Sequence, residues 1–207
     1  VVGPTGCGKS TIIRLLLGFE KPSKGSIYYD KKDLKTLVLK SVRKKIGTVM
    51  QNDGLFSGDV FSNISINNPH MTMDEAWEVA REAMIYDDIK AMPMQMKTMI
   101  SEGNGGIAGG QQVRLLLARA LASKPKTVIF DAATSALDNV TQKKISESLE
   151  KLECTRIAVA HRLSTIRHCD RIIVIDSGHI VEEGTYEELI KNDGLFKKLV
   201  ERQRVDI

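Results

Sequence analysis

Eight consecutive residues near the start of the chain have the types and spacing of a loop that holds phosphate. The segment Gly3–Ser10 reads Gly-Pro-Thr-Gly-Cys-Gly-Lys-Ser and fits the pattern G-x-x-x-x-G-K-[ST]. Its glycines permit positive φ and let backbone N–H groups approach phosphate oxygens closely. Lys9 can reach the β- and γ-phosphates of a nucleotide, and the Ser10 hydroxyl can ligate Mg²⁺. The residues predicted to bind nucleotide are Gly3, Pro4, Thr5, Gly6, Cys7, Gly8, Lys9, Ser10 and Thr11.

A second candidate for chemistry is the run Thr127–Asp131, which is apolar from Val128 to Phe130 and ends in a carboxylate. This pattern predicts a buried strand that delivers Asp131 to a nucleotide site, where it could hold Mg²⁺. The next position should carry the group that polarises an attacking water. The residue there is Ala132, and a methyl group cannot do this. The sequence therefore predicts a Mg²⁺–ATP site with impaired hydrolysis.

Composition limits the classes of protein to which the chain can belong. The 207 residues are 42% hydrophobic and 27% charged with a net charge of +4, as expected for one large or two small globular domains. Aromatic residues are few and do not alternate with basic ones, which argues against a nucleic-acid partner. No apolar run is long enough to span a membrane. The three cysteines form no metal-binding or disulfide pattern, and Cys7 is either a reactive thiol beside Lys9 or a small residue that fits the loop.

Strand and helix patterns alternate at both ends of the chain, which predicts an α/β fold with a mostly parallel sheet. A helix is expected from Lys9 to about Phe19, directly after the glycine-rich loop. The predicted strands are Ser26–Tyr29, Ile46–Met50, a run centred on Ile129, Ile157–Ala160, Arg171–Asp176 and His179–Glu183. Further helices are expected at about 140–151, 163–168, 185–191 and 195–204. Because only Val1 and Val2 precede the loop, we expect the N-terminal side of the domain to be truncated.

The middle of the chain, from about 72 to 122, shows helical periodicity and no strand alternation, which predicts a helical insertion. Its methionines 92, 94, 96 and 99 are either core or a docking surface. The insertion also holds a second glycine-rich loop, Ser101–Gln112, which includes Ile107–Gln111 and opens a helix, so that it again offers backbone N–H groups to an anion. One nucleotide does not need both loops from one small chain. A head-to-tail dimer, in which each loop faces the nucleotide of the other protomer, is the economical arrangement.

The order of these motifs along essentially the whole chain resembles the nucleotide-binding domain of ABC transporters. The resemblance implies a P-loop NTPase fold, with a RecA-like core at 1–71 and 123–207 and a helical subdomain with the signature loop at 72–122. Val49–Gly58 looks like the exporter form of the Q-loop, and Ile100–Gly103 is similar to the exporter X-loop. Three segments are closest to peptide and bacteriocin exporters of the NHLM type. They are Gly18–Pro22, Ala91–Met94 and Leu137–Asn139.

The resemblance also implies a role for each matching residue. Lys9 and the loop amides would hold the phosphates of ATP, and Ser10, Gln51 and Asp131 would surround Mg²⁺. Gln51 would also couple to a membrane domain, and His161 would contact the γ-phosphate beside the attacking water. Residues that would act at the dimer interface are Ala108, Gly109, Gly110 and Gln111 of the signature loop and Asp138 of the D-loop. The implied partners are a second ABC ATPase domain, identical or not, and a transmembrane exporter domain, with this fragment itself soluble at the cytoplasmic face of the cell membrane.

The chain departs from the family pattern in three places. Ala132 stands where the family has a glutamate that activates water, so the sequence predicts ATP binding with slow or absent turnover. Ala108 replaces the signature serine, which removes one hydroxyl that bonds phosphate and weakens the expected dimer. The aromatic residue that stacks on adenine would lie upstream of Val1 and is absent.

Two classes of function remain after these considerations. The first is the motor domain of an exporter that binds ATP, and hydrolyses it weakly, to move a peptide or small amphipathic substrate. The second is an ABC-type ATPase without a transport role, either a regulatory clamp or a protein that acts on DNA or the ribosome. Members of the second class that act on DNA or the ribosome should have a long coiled-coil insertion or a basic surface. Neither feature is visible in the sequence.

Overall fold

The structure is a computed structural model that describes residues 1–50, 53–101, 106–131, 139–150, 153–159 and 166–205. Two compact units make up the chain: Val1–Val42 with Ile157–Ile207, and Arg43–Arg156. Among the described residues, no helix has both the length and the apolar character needed to cross a membrane. The predicted division at 71/72 and 122/123 remains a prediction.

The first unit combines the glycine-rich loop with the C-terminal strands and helices. Its helices are Lys9–Leu16, the 3₁₀ turn Leu34–Thr36, Leu39–Arg43 at the unit boundary, Tyr186–Lys191 and Leu195–Val205. Its strands are Tyr28–Tyr29, Lys32–Asp33, Ile172–Asp176 and His179–Gly184, and the last two pair antiparallel. Val2 forms a parallel bridge to Val174, in which the Val2 N–H donates to Ile173 and the Val2 carbonyl accepts from Ile175, both at 2.9 Å. This bridge attaches the loop that follows Val2 to the sheet.

The second unit contains two of the predicted strands, and they pair in parallel. Ile46–Val49 runs parallel to Thr127–Asp131, with Ile46 opposite Thr127 and Val49 opposite Phe130. The strand Thr155–Val159 begins beside them, where the Thr155 N–H donates to the Lys126 carbonyl at 2.9 Å. The other strands of this unit are Gly58–Asp59 and Met99–Ile100, and its helices are Val60–Ser65, Met73–Glu82, Tyr86–Ala91, the 3₁₀ turn Gln95–Lys97, Gly109–Leu121 and Asn139–Glu150. The predicted α/β class with parallel strands is confirmed.

Sequence-local signals explain where several helices begin and which face they bury. Thr72 caps Met73–Glu82 through the Glu75 N–H, while the Glu75 carboxylate accepts from the Thr72 N–H, which is a capping box. The residues of this helix with the most complete burial are Ala76, Val79 and Ala80. They belong to the apolar face that the spacing predicts, and this face packs in the main core of the unit.

Some element boundaries differ from the expectation. The first helix ends at Leu16, because Gly18 takes φ 67 and the chain turns back, with the Phe19 N–H bonded to the Arg14 carbonyl. Inside the predicted helical insertion, Met99–Ile100 pairs antiparallel with Gly58–Asp59. A two-residue strand is too short to show alternation, so the sequence contains no signal for it.

The four clustered methionines at 92, 94, 96 and 99 divide between the core and the surface, and a docking role for the exposed ones remains a prediction. Met96 is 2% exposed and Met92 packs partly buried against the core, whereas Met94 and Met99 are 62% and 67% exposed. Met96 lies in the 3₁₀ turn Gln95–Lys97, which turns its side chain inward. The side chains therefore serve as core at two positions and remain on the surface at the other two.

Glu182 stabilises the C-terminal helix from a neighbouring strand. Its Oε1 accepts from the N–H groups of Leu195 and Phe196, the first two residues of Leu195–Val205. We expect Glu182→Ala to lower the free energy of unfolding by about 1–2 kcal/mol, because both N–H groups lose an anionic acceptor at a helix N-terminus. Urea denaturation would measure the loss. The matched control is Glu183→Ala, which removes only a surface ion pair with Arg171 and should change stability by less than about 0.5 kcal/mol; equal losses in both variants would contradict the capping role.

Candidate functional site

The glycine-rich loop has the backbone conformation expected from its glycines. Gly3, Gly6 and Gly8 have φ values of 156°, 79° and 108°. A Cβ on Gly3 would overlap the Ile175 carbonyl oxygen and lie 2.7 Å from the Cys7 Sγ. Only glycine therefore fits at position 3, where the chain leaves the bridge to the sheet and turns into the loop.

Lys9 lies folded over this loop with its ammonium group directed at loop carbonyls. The side chain is 7% exposed, and its Nζ donates to the Gly3 oxygen at 2.9 Å and the Pro4 oxygen at 2.6 Å. The Cys7 Sγ lies 3.6 Å from the same Nζ and is 4% exposed. This burial agrees with the interpretation of Cys7 as a small residue that fits the loop. The Lys9 ammonium group therefore lies within the glycine-rich loop.

The helix Lys9–Leu16 begins where the loop ends, so its first N–H groups face the loop. Gly8 is the N-cap with φ 108° and provides no side-chain acceptor, and the first turn contains no acidic residue. The positive end of the helix dipole favours an anion at this place. Thr5, Gly6, Ser10 and Thr11 are exposed. A phosphate chain could therefore approach the N–H groups from solvent.

Asp131 occupies the carboxyl end of a buried parallel strand in the second unit. The residue is 8% exposed, and the preceding Val128 and Ile129 are fully buried. In open α/β sheets, ligands bind outside the carboxyl ends of the strands. The Asp131 carboxylate is an oxygen donor of the kind that Mg²⁺ prefers, and so is the Ser10 hydroxyl of the first unit.

The second glycine-rich loop opens the helix Gly109–Leu121. Ala108 is the N-cap with φ −66° and ψ 150°, and it provides no side-chain hydrogen bond because it has no hydroxyl. Its own N–H donates to the Gln111 Oε1 at 3.1 Å, so the glutamine side chain provides one of the two hydrogen bonds of a capping box. Ala108 and Gly109 are exposed. The first-turn N–H groups of this helix, like those after the first loop, have no acceptor within the helix.

Sequence reasoning missed a polar cluster that holds the segment after Gln51. Arg119 donates to the Asn63 carbonyl at 2.9 Å, to the Asn63 Oδ1 at 2.8 Å and to the Gly54 carbonyl at 3.0 Å. The amide of Asn63, a residue 1% exposed, in turn bonds both the N–H and the carbonyl of Phe56. Burial lowers the pKa of the Arg119 guanidinium. The partners are far apart along the chain, so no local pattern could have indicated this cluster.

Four predicted site residues, Gln51, Ala132, Asp138 and His161, lie outside the described residues. The structure brings together Gly3, Cys7 and Lys9 in the first loop, and Ala108 and Gln111 in the second. Asp131 lies at its strand end in the second unit.

Comparisons with known proteins agree on one family. Residues 1–135 match the family model described as ABC transporter. ABC transporter B family member 14 of Arabidopsis thaliana is 41% identical over 206 residues, which are 98% of this chain and 16% of that protein. The heavy metal tolerance protein of Schizosaccharomyces pombe is 41% identical over 202 residues, which are 96% of this chain and 24% of that protein.

A solved structure matches the fold along almost the whole chain. It is described as a bacterial Atm1-family ABC exporter with ATP bound, and it superposes with a TM-score of 0.93 at 36% identity. The match covers 98% of this chain and 36% of that chain. The present chain thus spans only a part of the length of each of these three proteins.

Proposed function

Because the chain belongs to the ABC transporter family as the nucleotide-binding domain of an exporter, we propose that it binds ATP with Mg²⁺ at Gly3–Ser10 and dimerises on the bound nucleotide. The dimer would drive transport through a membrane domain at the cytoplasmic face of the membrane. The observation that carries the proposal is the position of the Lys9 ammonium, 2.9 Å and 2.6 Å from two carbonyl oxygens of a loop whose glycines all have positive φ. A buried cation beside outward-facing N–H groups is suited to bind a polyphosphate.

Each residue of the loop would have a definite task when ATP binds. The first-turn N–H groups of Lys9–Leu16 would cradle the phosphate chain, and Lys9 would move from the loop carbonyls to the β- and γ-phosphates. Ser10 and Asp131 would be oxygen ligands of Mg²⁺, which supplies positive charge against the phosphates. Gln51 and His161 would complete the surroundings of the γ-phosphate.

The second loop would act in the partner protomer's site. Gly109, Gly110 and Gln111 would reach the γ-phosphate across a two-fold axis, while Asp138 would line the interface. Ala108 supplies no hydroxyl here, so the contact to phosphate would depend on backbone N–H groups and on Gln111. We expect a dimer that is weaker than one with a serine at this position.

Hydrolysis by this chain would be slow, because Ala132 supplies no carboxylate to orient water. ATP binding and dimer closure would be preserved, so the domain would persist in an ATP-bound dimer. Such a domain could serve an exporter as one unequal half of a heterodimer or as a homodimer with two impaired sites.

A peptide or small amphipathic molecule is the transport substrate that we propose. Gly18–Pro22, Ala91–Met94 and Leu137–Asn139 support it through their similarity to NHLM-type peptide exporters. One relative, the protein of Schizosaccharomyces pombe, is instead named for heavy metal tolerance. Transport assays with the complete exporter would decide between these substrates, and the non-transport ABC ATPase is the second candidate if no membrane domain accompanies the chain.

Replacing Lys9 by alanine tests the nucleotide site directly. We expect Lys9→Ala to weaken ATP binding about 10- to 100-fold, since a charged hydrogen-bond donor to the phosphates is lost. Binding of a fluorescent ATP analogue, titrated by fluorescence, would measure the change. Lys191→Ala, which removes an exposed lysine of the helix Tyr186–Lys191 in the same unit, is the matched control and should bind as the unmodified chain does. Equal affinity of the Lys9 variant and its control would contradict the proposed site.

A further inference from the structure

A carboxylate from a neighbouring helix lies against the second glycine-rich loop, and the motif comparison assigns it no role. Asp88 is part of the helix Tyr86–Ala91. Its Oδ1 accepts from the Gln111 Nε2 at 2.8 Å, and its Oδ2 accepts from the Arg114 NH1 at 2.7 Å. Asp88 therefore contacts two side chains in the first two turns of Gly109–Leu121.

The charge of Asp88 determines which way the Gln111 amide points. An ionised carboxylate only accepts hydrogen bonds, so the NH₂ group of Gln111 must face Asp88. The Gln111 Oε1 is then directed back to the Ala108 N–H, at 3.1 Å. The Asp88 carboxylate and the Ala108 N–H therefore both favour this orientation of the amide over the flipped one.

Arg114 connects the same carboxylate to the backbone of the loop. Its Nε donates to the Gly110 carbonyl at 3.1 Å, and its NH1 donates to the Met84 carbonyl at 2.6 Å. The side chains of Arg114 and Asp88 are 16% and 24% exposed. An ion pair with this little exposure is less screened by solvent than a surface pair, and removing one partner leaves the other charge unpaired.

Asp88 thus controls two of the groups that shape the loop, the Gln111 amide and the Gly110 peptide. We propose that Asp88 is a positioning residue that holds Ala108–Gln111 in the geometry needed to bind the nucleotide of the partner protomer. This inference rests on the proposed function of the loop. The positioning role of Asp88 is especially important in this chain because Ala108 has no hydroxyl with which to cap the helix or bind phosphate. The loop geometry then depends on Gln111, and through it on Asp88.

The test separates ATP binding within one protomer from dimerisation on ATP. In Asp88→Ala, we expect the affinity of the monomer for a fluorescent ATP analogue to change less than about twofold, since Gly3–Ser10 is untouched. The dissociation constant of the dimer with Mg²⁺ and ATP should rise about 10- to 100-fold, as expected when a charged hydrogen-bond acceptor is removed. Sedimentation velocity over a range of protein concentrations would measure it. Asp87→Ala removes the adjacent, exposed carboxylate and should leave both constants unchanged.

A double-mutant cycle distinguishes positioning from general support of the fold. If Asp88 acts through Gln111, the effects of Asp88→Ala and Gln111→Ala on the dimer constant should be strongly non-additive. Additive effects, or a dimer constant in Asp88→Ala equal to that of the Asp87 control, would overturn the inference. Asp88→Asn, which keeps the shape of the side chain, replaces Asp88→Ala if thermal denaturation finds that variant unfolded. Failure of the unmodified chain to dimerise on ATP would instead overturn the proposed function, and the inference with it.

Discussion

Replacing Ala132 by glutamate is expected to raise the steady-state rate of ATP hydrolysis by about 10²–10⁴-fold. Phosphoryl transfer depends on positioned groups and charge stabilisation, which Lys9, Ser10 and Asp131 would still provide in the proposed site. A carboxylate at 132 would add the missing group that orients and activates the attacking water. Release of inorganic phosphate at saturating Mg²⁺ and ATP, compared between Ala132→Glu and the unmodified chain, would measure the gain.

The same experiment needs a control for the mere addition of charge near the site. Ala133→Glu places an identical side chain one position later in the chain, where it should produce no comparable gain in rate. ATP affinity should be similar in the unmodified chain and in Ala132→Glu, because in the proposed site position 132 would serve chemistry and not binding. Rapid hydrolysis by the unmodified chain would contradict the prediction, and so would an Ala132→Glu variant that binds ATP and dimerises but still does not turn over.

Gly3→Ala is expected to lower the free energy of unfolding by about 2–5 kcal/mol, from backbone strain together with overpacking. Gly3 has φ 156°, and an added Cβ would overlap the Ile175 carbonyl oxygen. The same carbonyl belongs to the strand Ile172–Asp176, to which Val2 is bridged, so relief of the overlap would disturb that bridge. Equilibrium unfolding in urea would measure the loss.

Gly6→Ala provides the matched control, since both glycines belong to the loop and both have positive φ. A Cβ on Gly6 would meet nothing within 4 Å. The free energy of unfolding of this variant should therefore fall by only about 1 kcal/mol, the conformational cost of alanine at positive φ. The difference between the two variants isolates the steric term at Gly3. Equal losses of stability would mean that the contact with Ile175 relaxes at little cost, contrary to the prediction.

Much of the fold was predictable because its signals are local. Two short apolar runs within an alternating α/β pattern predict both strands and a mostly parallel sheet, and the structure pairs Ile46–Val49 with Thr127–Asp131 in parallel. The predicted ABC ATPase fold is confirmed by the match to the solved exporter. The pairing of Met99–Ile100 with Gly58–Asp59 was not predictable, because two residues are too few to show a period. The peptide-exporter subtype and the role of Ala132 remain predictions.

The amino-acid sequence by itself determined the glycine-rich loop at Gly3–Ser10, the carboxylate at the end of the strand Thr127–Asp131 and the family. The loop and the strand end are contiguous motifs whose residue types dictate their backbone conformation and chemistry, and the order of such motifs along the chain indicates the family. Tertiary structure alone decided that position 3 excludes a side chain, because the obstacle is the carbonyl of Ile175 on a distant strand. It also placed Asp88 against Gln111, two residues 23 positions apart that meet only because their helices pack together. The hydrogen bond between them depends on how the helices Tyr86–Ala91 and Gly109–Leu121 pack, and no local pattern of residues predicts that packing.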